Sequence, residues 1–194
     1  MTYFNNKTVW ITGASEGIGK ALALQLAAKG AKIILTARNV GKLEAVQAAL
    51  KGDGHIVLPM DLLKTDEISA KVAEVLQKVS KIDILINNAG ISQRSLVKDT
   101  AIEVDRKIME LDYFAVITLT KALLPHFLER KSGHVVTISS VAGKLGVPMR
   151  SAYCAAKHAV IGFMGSLRAE THADGIKVLV VTPGSIQTNI SKNA

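Results

Sequence analysis

At 194 residues the chain is long enough to bury one sizeable core, and no linker-like stretch divides it, so a single domain over residues 1–194 is expected. Hydrophobic residues make up 48% and aromatic residues 4%, which implies an aliphatic core of the kind that parallel strands form when buried between helices. The formal net charge of +8 comes from scattered lysines and arginines with no basic run and no interleaved aromatics. It therefore reads as a solvated surface, and nucleic acid is not an expected partner.

The first strand, KTVWIT, leads into a helix predicted over 17–29. Between them TGASEGIG, residues 12 to 19, spaces its glycines as GxxxGxG. Small residues there allow a tight turn and close backbone approach, and the helix that follows offers free N–H groups to a pyrophosphate. Gly13, Ser15, Gly17, Ile18 and Gly19 form this candidate cradle, although a tight connection with packing glycines would look the same. Strand two, AKIILT, ends in TARN before a helix over 41–51. A cofactor with free ribose hydroxyls wants an acid at this point, whereas a 2'-phosphate wants a cation. Arg38 stands there, with Lys42 one turn later and no acid from 36 to 39, so NADP(H) is favoured over NAD(H). Glu16 is discordant unless it points to solvent.

Strand three, HIVLPM, precedes a helix over 66–79, and Asp61 at its end is placed to accept the adenine amino group beside Leu62. Strand four, IDILIN, ends in NNAG, where Asn88, Ala89 and Gly90 leave room for a ligand before a long helix over 101–130. Strand five, GHVVTIS, sets Ser139 at the sheet edge. The next helix, over 151–173, opens SAYCAAKHAV. Tyr153 and Lys157, four apart, share a face of it. A cation beside a phenol favours phenolate, which suits a proton-transfer group, but such pairs also meet by chance on amphipathic helices. Strand six, IKVLVV, runs into TPGSIQT, which brings Pro183, Gly184, Ile186 and Thr188 to the same rim.

Six strands alternating with five helices give the βαβ pattern of an α/β, Rossmann-like, doubly wound parallel sheet with helices on both faces. Ligands bind such sheets outside the carboxyl ends of the strands, where every candidate above falls. The N-terminus has no basic segment followed by an apolar one, and no later apolar run reads as long enough to span a bilayer. Cys154, the single cysteine, cannot form a disulfide within the chain, which fits a reducing, cytoplasmic setting. Its place beside Tyr153 suits a small half-buried helix residue better than a nucleophile. His55, His126, His134, His158 and His172 show no metal-ligand spacing, so no metal site is expected.

TGxxxGIG, NNAG, the serine after strand five, YxxxK and the Pro-Gly turn, in this order, resemble the short-chain dehydrogenase/reductase family from Lys7 to about Thr188. The resemblance implies NAD(P)-dependent carbonyl reduction or alcohol oxidation in a homo-oligomer. In it Tyr153 is the acid/base, Ser139 holds the substrate oxygen and Lys157 binds the nicotinamide ribose. Residues 132 to 159 look nearest to members acting on ketones, steroids or retinoids.

Two departures stand out. Asp112 occupies the place of the family's asparagine in the long helix, which stabilises a helix bulge and, with the lysine, a water chain for protons. An ionised aspartate accepts but does not donate, so the relay is altered, or the aspartate pairs with Lys157 and leaves it intact. Relatives also continue past the Pro-Gly turn with a substrate lid, a further helix and a seventh strand. The expectation is that the protein either continues beyond Ala194 or self-associates through strand six. A non-catalytic dinucleotide-binding sensor or scaffold is the competing reading.

Overall fold

The structure, a computed structural model, describes residues 2–188 and 190. The β-branched runs form β1 (Thr8–Thr12), β2 (Lys32–Ala37), β3 (Ile56–Pro59), β4 (Ile84–Asn87), β5 (Gly133–Ile138) and β6 (Ile176–Val181). All pair in parallel, in the order β3-β2-β1-β4-β5-β6. The winding therefore reverses between β1 and β4, and a ligand crevice opens at their carboxyl ends. This is the doubly wound sheet that the alternation of elements predicts.

Side-chain alternation along the strands sorts the core into two layers. Trp10, Ile34, Leu85 and Val135 pack with Ile68 and Val75 of α3 (Ile68–Lys78), Leu119 and Phe127 of α5 (Ala115–Glu129) and Val160 and Met164 of α6 (Ser151–Thr171). Val9, Ile11, Ile33 and Leu35 pack instead with Ala23 and Leu26 of α1 (Gly17–Ala27) and Leu43 and Val46 of α2 (Val40–Ala48). Trp10 is buried without an orphaned polar atom, because its Nε1 donates to Thr36 Oγ1 at 2.9 Å.

The helix predicted over 101–130 is continuous but irregular. α4 (Ile102–Met109) passes through a π turn at Glu110–Phe114 into α5. By length and composition alone, the helix Ile102–Glu129 is long and apolar enough to cross a membrane, a test that a core helix also passes. In this fold its apolar stripe, Ala115, Leu119, Leu123 and Phe127, lies in the sheet's core.

At the opposite end of the strands, Asp83 is a brace. Its Oδ2 accepts from the Thr8 N–H at 2.9 Å and its Oδ1 from Arg130 Nη2 at 3.1 Å, which ties β1 and the end of α5 to the start of β4. Lys7 and Lys81 flank it at 3.7 and 3.5 Å. Burial pushes the carboxyl up, but the Thr8 N–H and the three cations outweigh it and hold Asp83 below the ordinary carboxylate value.

Candidate active site

The carboxyl ends of the strands surround a cleft of about 750 Å³. At one end lies the glycine turn. Gly13 and Gly17 have φ of 64° and 55°, a left-handed conformation that glycine adopts without strain. A Cβ on Gly13 would stand 2.9 Å from Ala89 Cα, so the close approach of this turn to the β4 end also requires glycine. The Glu16 side chain makes no capping bond to α1; the turn and the start of the helix together suit a pyrophosphate. Gly19 does not line the cleft. A Cβ there would collide with the Gly13 carbonyl, so this glycine lets α1 close on the turn.

Arg38 and Lys42 line the cleft beyond β2. Glu16, discordant in the sequence, is ion-paired with Lys42 at 3.1 Å. Asp61 and Leu62 line the wall at the end of β3, where Asp61 Oδ1 accepts from the Leu63 N–H at 3.1 Å. Asn88 turns its side chain inward: Nδ2 donates to the Thr12 and Gly13 carbonyls at 2.9 and 3.2 Å. Thr12 Oγ1 in turn accepts from the Asn88 and Ala89 N–H groups. Asn88 thus pins the switch point between β1 and β4, while Ala89 and Gly90 face the cleft beside it. Pro183, Gly184, Ile186 and Thr188 form the opposite wall. There a Cβ on Gly17 would come within 3.3 Å of Thr188 Cγ2.

Ser139, Tyr153 and Lys157 line the same cleft. Lys157 is 4% exposed; its Nζ donates to the Ile138 carbonyl at 3.3 Å and lies 5.5 Å from the centre of the Tyr153 ring. The Ser139 hydroxyl donates to the Lys157 backbone carbonyl at 3.2 Å. Gly143 permits this packing, since a Cβ there would stand 2.8 Å from Ser139 Oγ. Cys154 is buried rather than half-buried and its Sγ accepts from the Val147 N–H at 3.3 Å.

Asp112 does not line the cleft; it lies behind Lys157 in the π turn, with 0% exposure. Its Oδ1 accepts from the Ile91 N–H at 2.8 Å, and its Oδ2 is 3.2 Å from Lys157 Nζ but not aligned for a hydrogen bond. Burial therefore pushes the carboxyl up, and the Lys157 ammonium and Ile91 N–H pull it back only in part. Of the sequence's two alternatives for this residue, the geometry is that of pairing with Lys157.

Among the residues absent from the sequence reading, Ser92, Lys107, Leu111 and Arg150 line the cleft. Lys107 and Leu111 follow the i, i+4 rule on one helix face, but nothing local reveals that this face meets the cleft.

Comparison with known proteins identifies the family. The family model for short chain dehydrogenases matches residues 7–194. Mouse (Mus musculus) dehydrogenase/reductase SDR family member 7B is 48% identical over 198 residues, an overlap of 99% of this chain and 61% of the mouse protein. The chain thus spans about three fifths of the length of the curated relatives it matches. A short-chain dehydrogenase from Streptomyces avermitilis superposes with a TM-score of 0.91 at 38% identity, over 95% of this chain and 68% of that one. A short chain dehydrogenase/reductase from Burkholderia phymatum, solved in complex with NAD, gives 0.91 at 26% identity, over 100% and 70%. The match begins just before β1 and takes in the glycine turn and the Tyr153–Lys157 helix, and on it this chain belongs to the short chain dehydrogenase family.

Proposed function

We propose that the protein is an NADP(H)-dependent oxidoreductase that reduces a carbonyl, or oxidises the corresponding alcohol, on an apolar ketone, steroid-like or lipid-like substrate. The observation that carries this reading is that Ser139, Tyr153 and Lys157 share one cleft with the glycine turn and with Arg38 and Lys42. Gly13, Ser15, Gly17 and Ile18 would hold the pyrophosphate, Arg38 and Lys42 a 2'-phosphate, and Asp61 and Leu62 the adenine. Ala89, Gly90, Pro183, Gly184, Ile186 and Thr188 would enclose the nicotinamide half.

When bound, the nicotinamide supplies or takes up the hydride. Tyr153 gives its proton to the substrate oxygen in reduction and recovers it in oxidation. Ser139 turns its hydroxyl from the Lys157 carbonyl to that oxygen and stabilises the charge that develops there. Lys157, ion-paired with Asp112 and hydrogen-bonded to the Ile138 carbonyl, would offer a further N–H to a ribose hydroxyl and keeps a cation beside the phenol. Val141 and Val147 line the cleft after β5, which supports an apolar substrate. Cytoplasmic residence and assembly into a homo-oligomer belong to the same reading. The lone, buried Cys154 supports the first, and exposed Phe114 and Leu128 on the helix run support the second.

The buried Asp112–Lys157 pair favours a second reading, a dinucleotide-binding module without turnover, because it partly neutralises the cation beside Tyr153. Oxidation of NADPH against a panel of ketones, with a parallel binding titration, separates the two. Turnover that falls at least about 10²-fold in Tyr153→Phe, with NADPH binding nearly unchanged, supports the enzyme. Binding without turnover in the wild type supports the module.

A further inference from the structure

α6 begins without a cap of its own. Arg150 occupies the cap position, where Ser, Thr, Asp or Asn would ordinarily satisfy the first N–H groups, and it makes no capping bond. Its Nη1 is directed instead to Ser92 Oγ. Of the N–H groups in the first turn, that of Tyr153 donates to Gln93 Oε1 at 3.2 Å. The other end of the same amide, Nε2, donates to Ser151 Oγ at 3.2 Å. Gln93 is 4% exposed and does not line the cleft.

The remaining ties run between the same two segments. The Ser95 N–H donates to the Met149 carbonyl at 3.2 Å, and Met149 has a φ of 64°. A left-handed non-glycine residue of this kind persists where its surroundings hold it. The loop that carries Ser92, Gln93 and Ser95 follows directly on Asn88, Ala89 and Gly90, and its Ile91 N–H binds Asp112.

We propose that Gln93 is a positioning residue that caps α6 from the loop after β4 and so fixes the Tyr153 hydroxyl in the cleft. This rests on the reading of the cleft as an oxidoreductase site. Gln93 touches neither cofactor nor substrate and acts through the backbone of Tyr153. Its side chain couples the floor of the cofactor cleft to the acid/base group, so the first turn of α6 keeps its place only while the loop keeps its own.

The test compares Gln93→Met, which keeps the volume and loses both bonds, with Gln93→Glu, whose carboxylate can accept from the Tyr153 N–H and from the Ser151 hydroxyl. Each is assayed for ketone-dependent NADPH oxidation, for NADPH affinity, and by fluorine NMR after incorporation of fluorotyrosine. The chain has 3 tyrosines, and Tyr153→Phe assigns the resonance. In Gln93→Met kcat falls roughly tenfold, the scale of a small misplacement of a reacting group. NADPH affinity stays close to wild type and the Tyr153 resonance alone moves. Gln93→Glu recovers most of kcat and returns the resonance.

Wild-type kcat with an unmoved resonance in Gln93→Met overturns the proposal, as does an equal loss in both variants or a parallel loss of NADPH affinity. If Gln93→Met does not fold, Ser151→Ala, which removes one of the two bonds, decides. A displaced Tyr153 resonance supports the cap and an unmoved one overturns it. A wild type that binds NADPH but turns over no ketone sinks the functional reading instead, while the Tyr153 resonance still decides the role of Gln93.

Discussion

Asp112 sets a carboxyl group with 0% exposure against a buried ammonium, and its titration has a definite sign. Its native pKa is raised, so above the ordinary carboxylate value of about 4 the folded state binds more protons than the unfolded one. Stability must then fall as pH rises from that value through the raised native one. Asp112→Asn keeps an oxygen for the Ile91 N–H and removes this dependence. Relative to wild type, the Tm of Asp112→Asn should therefore become more favourable between mildly acid and neutral pH. A difference that moves the other way would show the ion pair with Lys157 outweighing burial. On the proposed reading the choice of cofactor at the far end of the cleft would fall to Arg38, since Lys42 is shared with Glu16. Arg38→Asp should weaken NADPH by roughly 10²-fold, the equivalent of about 3 kcal/mol of charged hydrogen bonds, and shift preference toward NADH. Equal affinity of the wild type for both nucleotides, measured by titration, would remove Arg38 from that role.

Among the elements, the ends of the strands divide the labour. The carboxyl ends carry the cleft; the amino ends carry the brace at Asp83, which joins β1, β4 and α5. Because Asp83 is held below its ordinary pKa, the stability it contributes is present above the unfolded carboxylate value and lost as pH falls through the native one. Asp83→Asn should cost about 2 kcal/mol near neutral pH, read by urea unfolding. The gap from wild type should close below about pH 4. A gap that persists in acid would mean that Asp83 acts through packing rather than charge. The helix over 102–129 shows what periodicity leaves out. Its length was legible in the sequence, because the apolar stripe continues through it. The π turn at Glu110–Phe114 is not legible in that periodicity, and only the family resemblance implied a bulge at Asp112, which here meets Ile91 and Lys157.

Across the whole molecule the two faces of the sheet are covered unequally. Under α3, α5 and α6 every strand is packed, whereas on the other face α1 and α2 cover β1 to β4 and leave β5 and β6 half open. His134, Val136 and Ile138 alternate there with buried neighbours. Lys177 and Leu179 are exposed, Leu179 at 54%, and β6 pairs only with β5 among the described residues. An apolar face beside an unpaired edge recruits other chains. The polypeptide of residues 1–194 should therefore self-associate in sedimentation velocity, and Leu179→Lys should shift it toward monomer. A wild-type polypeptide that sediments as a monomer at all concentrations would count against β6 as the contact.

The sequence by itself determined the alternation of strands and helices, the rim on which the chemistry lies, and the pairing of Tyr153 with Lys157. Each of these is local: strand and helix periods, glycine conformations and the i, i+4 rule act within a few residues. Only the tertiary structure decided that Glu16 neutralises Lys42, that Asn88 pins the turn at Gly13, that Asp112 faces Lys157, and that Gln93 caps α6. Those contacts join residues 26, 75, 45 and 60 positions apart in the chain. No local pattern encodes them, because they exist only once the β1–β4 switch point has brought the loops of separate βαβ units to one edge.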